Sequence, residues 1–157
     1  MRWATQEHLQ VDRLASAWLI RRFVNPAAEF KFVVRGTEAA AVTDGTPFHL
    51  PGAELAHRDG RCTFETIFLR HGLDRTVMAL AELGPIVRAA DTLHGAVAFR
   101  GLPVREAFQL EAPPEAAGLQ AVLHGVRLLA VDDPSAIERA SAVMDALYAA
   151  LQQRSRR

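Results

Sequence analysis

The stretch MRWATQEHLQVDRLASAWLIRRFVNPAAEFKFVVR, residues 1–35, sets the fold class. Met1 to Thr5 reads as a short strand. From Asp12 to Val24 the apolar residues recur at helical spacing, with Leu14, Trp18 and Phe23 joined by Ala15 and Leu19 on one side. Asp12 suits an N-cap, because its carboxylate can accept the free N–H groups of a first turn. Asn25-Pro26 ends the helix, since proline pushes the preceding residue out of helical backbone. Phe30 to Arg35 returns to a β-type run.

Beyond residue 35 the pattern turns helical. Thr46 to Leu50 gives one more short strand before the Pro51-Gly52 turn. Thr63 is expected to cap a helix running to His71, closed by Gly72. Asp74 is expected to cap the next helix, with Gly84-Pro85 kinking or splitting it. Gly95 to Pro114 is rich in proline and glycine and reads as a lid-like loop. Pro114 suits the first position of a helix carrying Leu119, Val122, Leu123 and Val126. Asp133-Pro134 starts the last helix, whose inner stripe is Ile137, Ala140, Met144, Leu147, Tyr148 and Leu151. The expectation is an α+β fold: a mostly helical single domain over residues 1–152 with a small β-sheet in the N-terminal half. Residues 153–157 form a basic C-terminal tail.

Half of the 157 residues are hydrophobic, enough to bury a core. Lys+Arg and Asp+Glu are both 18, so the formal net charge is zero. That argues against a general grip on nucleic acid, which needs a cationic surface to displace counterions. Lys31 is the only lysine, so the cations are nearly all arginines. Arginine is the better partner for bidentate oxyanion contacts, but a GC-rich genome gives the same bias and is the preferred reading of it. One cysteine excludes an internal disulfide. No apolar run is long enough to span a bilayer, and no leader pattern stands at the start. A cytoplasmic location follows as the expectation.

The candidate chemistry centres on Glu54-Leu-Ala-His57-Arg-Asp-Gly-Arg-Cys62-Thr-Phe-Glu65. Asp59-Gly60 is a tight-turn pair, able to fold His57 back toward Cys62. Glu65 then lies in the first turn after Thr63. Imidazole, thiol and carboxylate together suit a mixed metal site, although the spacing fits no standard zinc signature. Asp91 falls on an apolar stripe with Val87, Ala90 and His94, where a carboxylate must be paired, protonated or metal-bound. His94, three residues on, is the open question for that site, as is Asp12. Cys62 is also a candidate redox thiol, since Arg61 and a helix N-terminus both favour thiolate; a small buried thiol is the alternative. Arg21 and Arg88 are the candidate oxyanion-binding residues. His8, His49, His71 and His124 read as surface residues.

Several blocks are similar to one family. They are Asp12-Arg13-x-Ala15-x2-Trp18-Leu-Ile-Arg21-Arg22-Phe23, Pro51-Gly52-x-Glu54-Leu55, and His57-x4-Cys62-Thr-Phe-Glu65. Ile86-Val87-x3-Asp91, Ala116-Ala117-Gly118-Leu119, Asp132-Asp133 and Asp145-Ala-Leu-Tyr148 follow in order. Together they resemble the C-terminal chromate-resistance domain of the chromate resistance protein (ChrB) family, over residues 1–149. The resemblance implies a role in chromate resistance or in chromate-dependent control of resistance genes. It also implies that longer members carry an N-terminal region linked to DNA binding. This sequence lacks that region, so no direct nucleic-acid binding is expected, and regulation would need a partner regulator.

Three functional readings stand. The first is a domain that binds a metal ion or an oxyanion such as chromate, through His57, Cys62, Glu65 and Asp91 with Arg21 or Arg88. The second is a metal-dependent redox or hydrolytic enzyme using Fe, Mn or Zn. No nucleotide-cofactor fingerprint is present. The third is a non-catalytic scaffold that forms a homodimer through the last helix.

Overall fold

The computed structural model describes residues 1–108 and 111–156. Gln109 and Leu110, within the segment read as a lid-like loop, and Arg157, in the expected tail, lie outside the described residues.

Strand β1 (Arg2–Gln6) leads into helix α1 (Val11–Leu19), a π-turn at Ile20–Val24 and strand β2 (Glu29–Val33). Strand β3 (Thr46–Pro47) completes a three-stranded sheet of order β2-β1-β3, parallel throughout. The rest is helical: α2 (Thr63–Arg70), α3 (Met78–His94), α4 (Val104–Ala107), α5 (Glu115–Leu129) and α6 (Asp133–Ser155). The α+β class and the N-terminal position of the sheet are therefore as the sequence indicates. No helix is long and apolar enough to cross a membrane among the described residues.

The core lies where α1 meets α2, α3 and α6. Leu14, Ala15, Trp18 and Leu19 are buried on α1. Trp18 stacks on Phe64 at 6.4 Å and meets Tyr148 edge-on at 5.8 Å. Its indole N–H donates to Asp145 Oδ1 at 2.8 Å, so the polar end of the ring is satisfied. Arg22, paired with the same Asp145, covers the Tyr148 ring. On α6 the residues Ile137, Ala140, Met144, Tyr148 and Leu151 all turn inward. Each large side chain buried this way stabilises the fold by about 1.5–3 kcal/mol.

The helix starts differ from the expectation in detail, with Pro114 preceding α5 rather than opening it and Asp132 rather than Asp133 capping α6. Gln10 precedes α1, and Asp12 sits inside its first turn with its side chain turned elsewhere. Cys62, not Thr63, is the N-cap of α2. The helix after Asp74 begins only at Met78, because residues 71–77 form successive turns: the Gly72 and Leu73 amides return to Leu69 and Phe68 of α2, and those of Arg75, Thr76 and Val77 donate to Gly72 and Leu73. Helix α3 also runs unbroken through Pro85. Leu80, Leu83, Ile86, Val87 and Ala90 pack into the core on both sides of the proline and hold the two halves in line. Gly84 supplies the space that α3 needs beside α2: a Cβ there would stand 2.9 Å from Glu65 Cγ and 3.0 Å from Phe68 Cε1. The segment after α3 contains a π-turn at Gly95–Phe99 and the short α4.

Asp132 caps α6 by accepting the Ser135 amide at 2.9 Å. Its neighbour Asp133 does something different. Its carboxylate accepts the amides of His8 and Leu9, both at 2.9 Å, and pairs with Arg127. The start of α6 is thereby clasped to the segment between β1 and α1. The expected basic tail is in part ordered, with Arg154 in the last turn of α6 bridging Glu115 and Glu82.

Candidate functional site

The site is built around Asp12. Its first-turn position on α1 aims the carboxylate at the N-terminus of α2, where backbone N–H groups lack helical partners. Thr63 N–H donates to Oδ2 and Phe64 N–H to Oδ1, each at 2.9 Å. Two imidazoles approach from the other side. His57 Nε2 is 2.9 Å from Asp12 Oδ2, and His49 Nδ1 is 3.3 Å from the same oxygen. Asp91, on α3, places Oδ2 3.6 Å from His57 Nε2.

Local backbone explains how the two histidines arrive. His49 follows β3 with a left-handed φ of 51°, unusual for a residue with a Cβ. Its N–H donates to Leu55 O at 2.7 Å, and Thr63 Oγ1 lies 2.8 Å from its Nδ1. His57 precedes a two-residue turn. Asp59 and Gly60 both have positive φ, and Arg58 and Arg61 exchange backbone hydrogen bonds, as in a type I′ hairpin. The turn read from Asp59-Gly60 is thus present.

The electrostatics follow from burial. Burial alone would raise the Asp12 carboxyl, but hydrogen bonds from His49 and His57, the His49 charge and the Phe64 amide hold it far below the ordinary carboxylate range. The hydrogen bond to Asp12 raises the His57 imidazole. Asp91 is pushed up by burial and by the Asp12 charge beside it. Arg13, next on α1, is pulled down by burial despite the carboxylates of Asp91, Asp12 and Asp133 around it, and its Nε has no hydrogen-bond partner.

The expected set of His57, Cys62, Glu65 and Asp91 does not come together as one cluster. His57 and Asp91 meet at Asp12. Cys62 and Glu65 instead close the start of α2: Glu65 Oε1 accepts the Cys62 amide at 3.2 Å and lies 3.4 Å from its Sγ. Glu65 Oε2 pairs with Arg88 at 3.3 Å. The three-residue spacing from Cys62 to Glu65 is that of an N-cap and its returning carboxylate. Cys62 is buried, and its thiol is pushed well above its ordinary pKa by burial and by the nearby Asp12 charge. Burial and the neighbouring carboxylates thus work against the thiolate expected beside Arg61 and a helix start.

Of the two arginines, Arg88 borders the site and Arg21 does not. Arg88 joins Arg58, Arg61, His57, Cys62 and Thr92 around a depression of about 360 Å³. Arg21 lies over the Phe30 ring at 4.9 Å and donates to Ala28 O, against the sheet. His94 is buried and turns from Asp91 toward Gln120 on α5. His49 is the site residue that sequence reading placed on the surface. Its only sequence cue is a histidine closing a strand before Pro-Gly; the left-handed backbone that turns it inward is not written in the spacing.

Among the described residues, Asp12, His49 and His57 are the one group of three acidic, histidine or cysteine side chains whose ligand atoms lie within 4.8 Å of one another. Donors on a tetrahedral ion with bonds of about 2.0–2.1 Å stand about 3.3 Å apart, close to the 2.9 and 3.3 Å that separate the His57 and His49 nitrogens from Asp12 Oδ2.

Fold and cluster together define a single α+β domain organised around a buried carboxylate flanked by two imidazoles. A family model described as "ChrB, C-terminal domain" matches residues 3–151, and the chain belongs to that family. It is 35% identical over 146 residues to "Protein ChrB" of Cupriavidus metallidurans, an alignment covering 93% of this chain and 39% of that protein. The chain therefore spans well under half the length of that curated relative. No solved structure matches it.

Proposed function

We propose that this domain binds a transition-metal ion through Asp12, His49 and His57, with Asp91 as a further oxygen donor, and that the bound ion receives a small oxyanion. The convergence of His49 Nδ1 and His57 Nε2 on one oxygen of Asp12 carries the reading. Two imidazoles and a carboxylate are a donor set suited to iron, manganese or zinc, and three protein donors leave positions open for a ligand. His57 is about half exposed, so the cluster opens to solvent on that side. Arg88, Arg58 and Arg61 line the adjoining depression beside the single carboxylate of Asp59, and Arg13, on α1, stands near Asp12 and Asp91. These cations favour an anionic ligand. Chromate is the oxyanion that the family resemblance implies. Whether the ion serves sensing or turnover is separated by assaying product after loading.

The Asp12 network also has a purely structural use, because its carboxylate already holds the start of α2. Elemental analysis of chelator-free, untagged protein decides between the two. Near-stoichiometric metal that disappears in both His49→Ala and His57→Ala supports the binding reading. Folded protein that stays metal-free and takes up no added Fe(II), Mn(II) or Zn(II) leaves Asp12 as a clamp alone. Calorimetric titration of the loaded protein with chromate, beside Arg88→Ala, then tests the anion.

A further inference from the structure

We infer that His94 and His124 form a second metal site, distinct from the Asp12 cluster, that takes a monovalent, low-coordinate ion of the Cu(I) type. His94 ends α3 and His124 lies midway along α5, and their ring centroids are 5.3 Å apart. Each ring has one nitrogen that is fully buried and has no hydrogen-bond partner: Nε2 of His94 and Nδ1 of His124. His94 itself is only 3% exposed. Buried ring nitrogens are ordinarily satisfied, and two unsatisfied ones on touching rings are a costly arrangement unless something binds between them.

The surroundings suit a ligating pair. Gln120 Nε2 lies 3.3 Å from His94 Nδ1. With the side-chain amide turned over, Oε1 accepts Nδ1–H, and His94 Nε2 then carries the lone pair. A metal-bound histidine is commonly held in this way by its second ring nitrogen. Phe99 meets His94 edge-on at 5.9 Å, and the chain neighbours Leu93 and Leu123 are buried. Burial, and then the nearness of His124, push the His94 imidazole toward its neutral form, the form that ligates.

The number of donors selects the ion. Among the described residues, no third histidine, cysteine or carboxylate joins this pair. Zinc and other divalent ions prefer four or more donors. A d10 Cu(I) ion is content with two imidazoles in a near-linear unit. Ring centroids 5.3 Å apart leave room for one such ion where the two unpartnered nitrogens turn toward each other. Binding involves no electron transfer: the ion enters as Cu(I) and accepts two lone pairs.

The test is competition for Cu(I) supplied as its bicinchoninate complex, under anaerobic reducing conditions. Wild-type protein should withdraw one equivalent from the chelator. His94→Gln and His124→Gln should each weaken binding by at least tenfold, while Cys62→Ala binds as wild type does. His124 is only partly buried, so His124→Gln gives an answer even where His94→Gln fails to fold. Failure to withdraw copper, or withdrawal unchanged in His124→Gln, overturns the site. Loss in His57→Ala with retention in His124→Gln also overturns it, and assigns the copper to the Asp12 cluster.

Discussion

The carboxylate of Asp12, in the first turn of α1, closes the N-terminus of α2 by accepting the Thr63 amide at 2.9 Å, across 51 residues of sequence. The same oxygen faces both His49 and His57. One side chain thus serves helix capping, helix–helix attachment and the candidate site. Asp12→Asn keeps the shape but replaces one acceptor with a donor facing an N–H. Hydrogen bonds to charged groups contribute about 1.5–3 kcal/mol each, and two are affected. The variant should lose about 2–4 kcal/mol of stability, read as a lower urea midpoint with unchanged slope.

The Asp12–His57 pair has a definite pH signature. His57 is raised in the folded protein, so its contribution is fully present below the ordinary histidine value of about 6.5 and is lost as pH climbs through the raised value. Asp12 is depressed, so its contribution is present above about pH 4 and is lost only as pH falls far below that. The stability difference between wild type and His57→Ala should therefore be larger at pH 6 than at pH 9. His57 is half exposed and screened, so the change should stay under about 1 kcal/mol. Paired urea titrations at the two pH values measure it, and a difference that grows toward pH 9 would contradict the pairing.

Cys62 should behave as an inert thiol. It is buried and its pKa is raised, so a thiol reagent such as Ellman's should leave it unmodified in the native protein and label it fully in denaturant. Rapid native labelling would restore the thiol to consideration as a redox group. Cys62→Ala should also keep whatever metal the Asp12 cluster binds, as should Glu65→Ala.

Gly84→Ala sets two effects against each other. Alanine gains about 1 kcal/mol of helix propensity over glycine. The new Cβ, however, would press to 2.9 Å from Glu65 Cγ and 3.0 Å from Phe68 Cε1. Overpacking of this kind costs about 1–3 kcal/mol. The net should be destabilising, and a raised melting temperature for this variant would show that α2 moves away from α3 freely.

What the sequence makes legible follows from the range of the interaction. The inner stripe of α6 is visible because its residues recur every three or four positions. The Asp59-Gly60 turn is visible because the dipeptide carries its own backbone preference. Cys62 and Glu65 invite two readings, since three-residue spacing serves both a metal pair and a capped helix; only the packing of Gly84 and Arg88 against Glu65 decides. His49 is not legible, because its role depends on a left-handed residue and on a carboxylate 37 positions earlier. Asp12 was expected to cap its own helix, yet it caps another, a choice made by tertiary packing alone.

Asp133 repeats the device of Asp12 at the other end of the chain, holding the amides of His8 and Leu9 from more than 120 residues away. The two carboxylates stitch the opening of α1 to α2 on one side and to α6 on the other. The shortest stretch that contains both stitches runs from His8 to Asp133, about four fifths of the chain. Melting should therefore be all-or-none, and the amide protons of Leu9, Thr63 and Phe64 should share one protection free energy, that of opening the entire molecule.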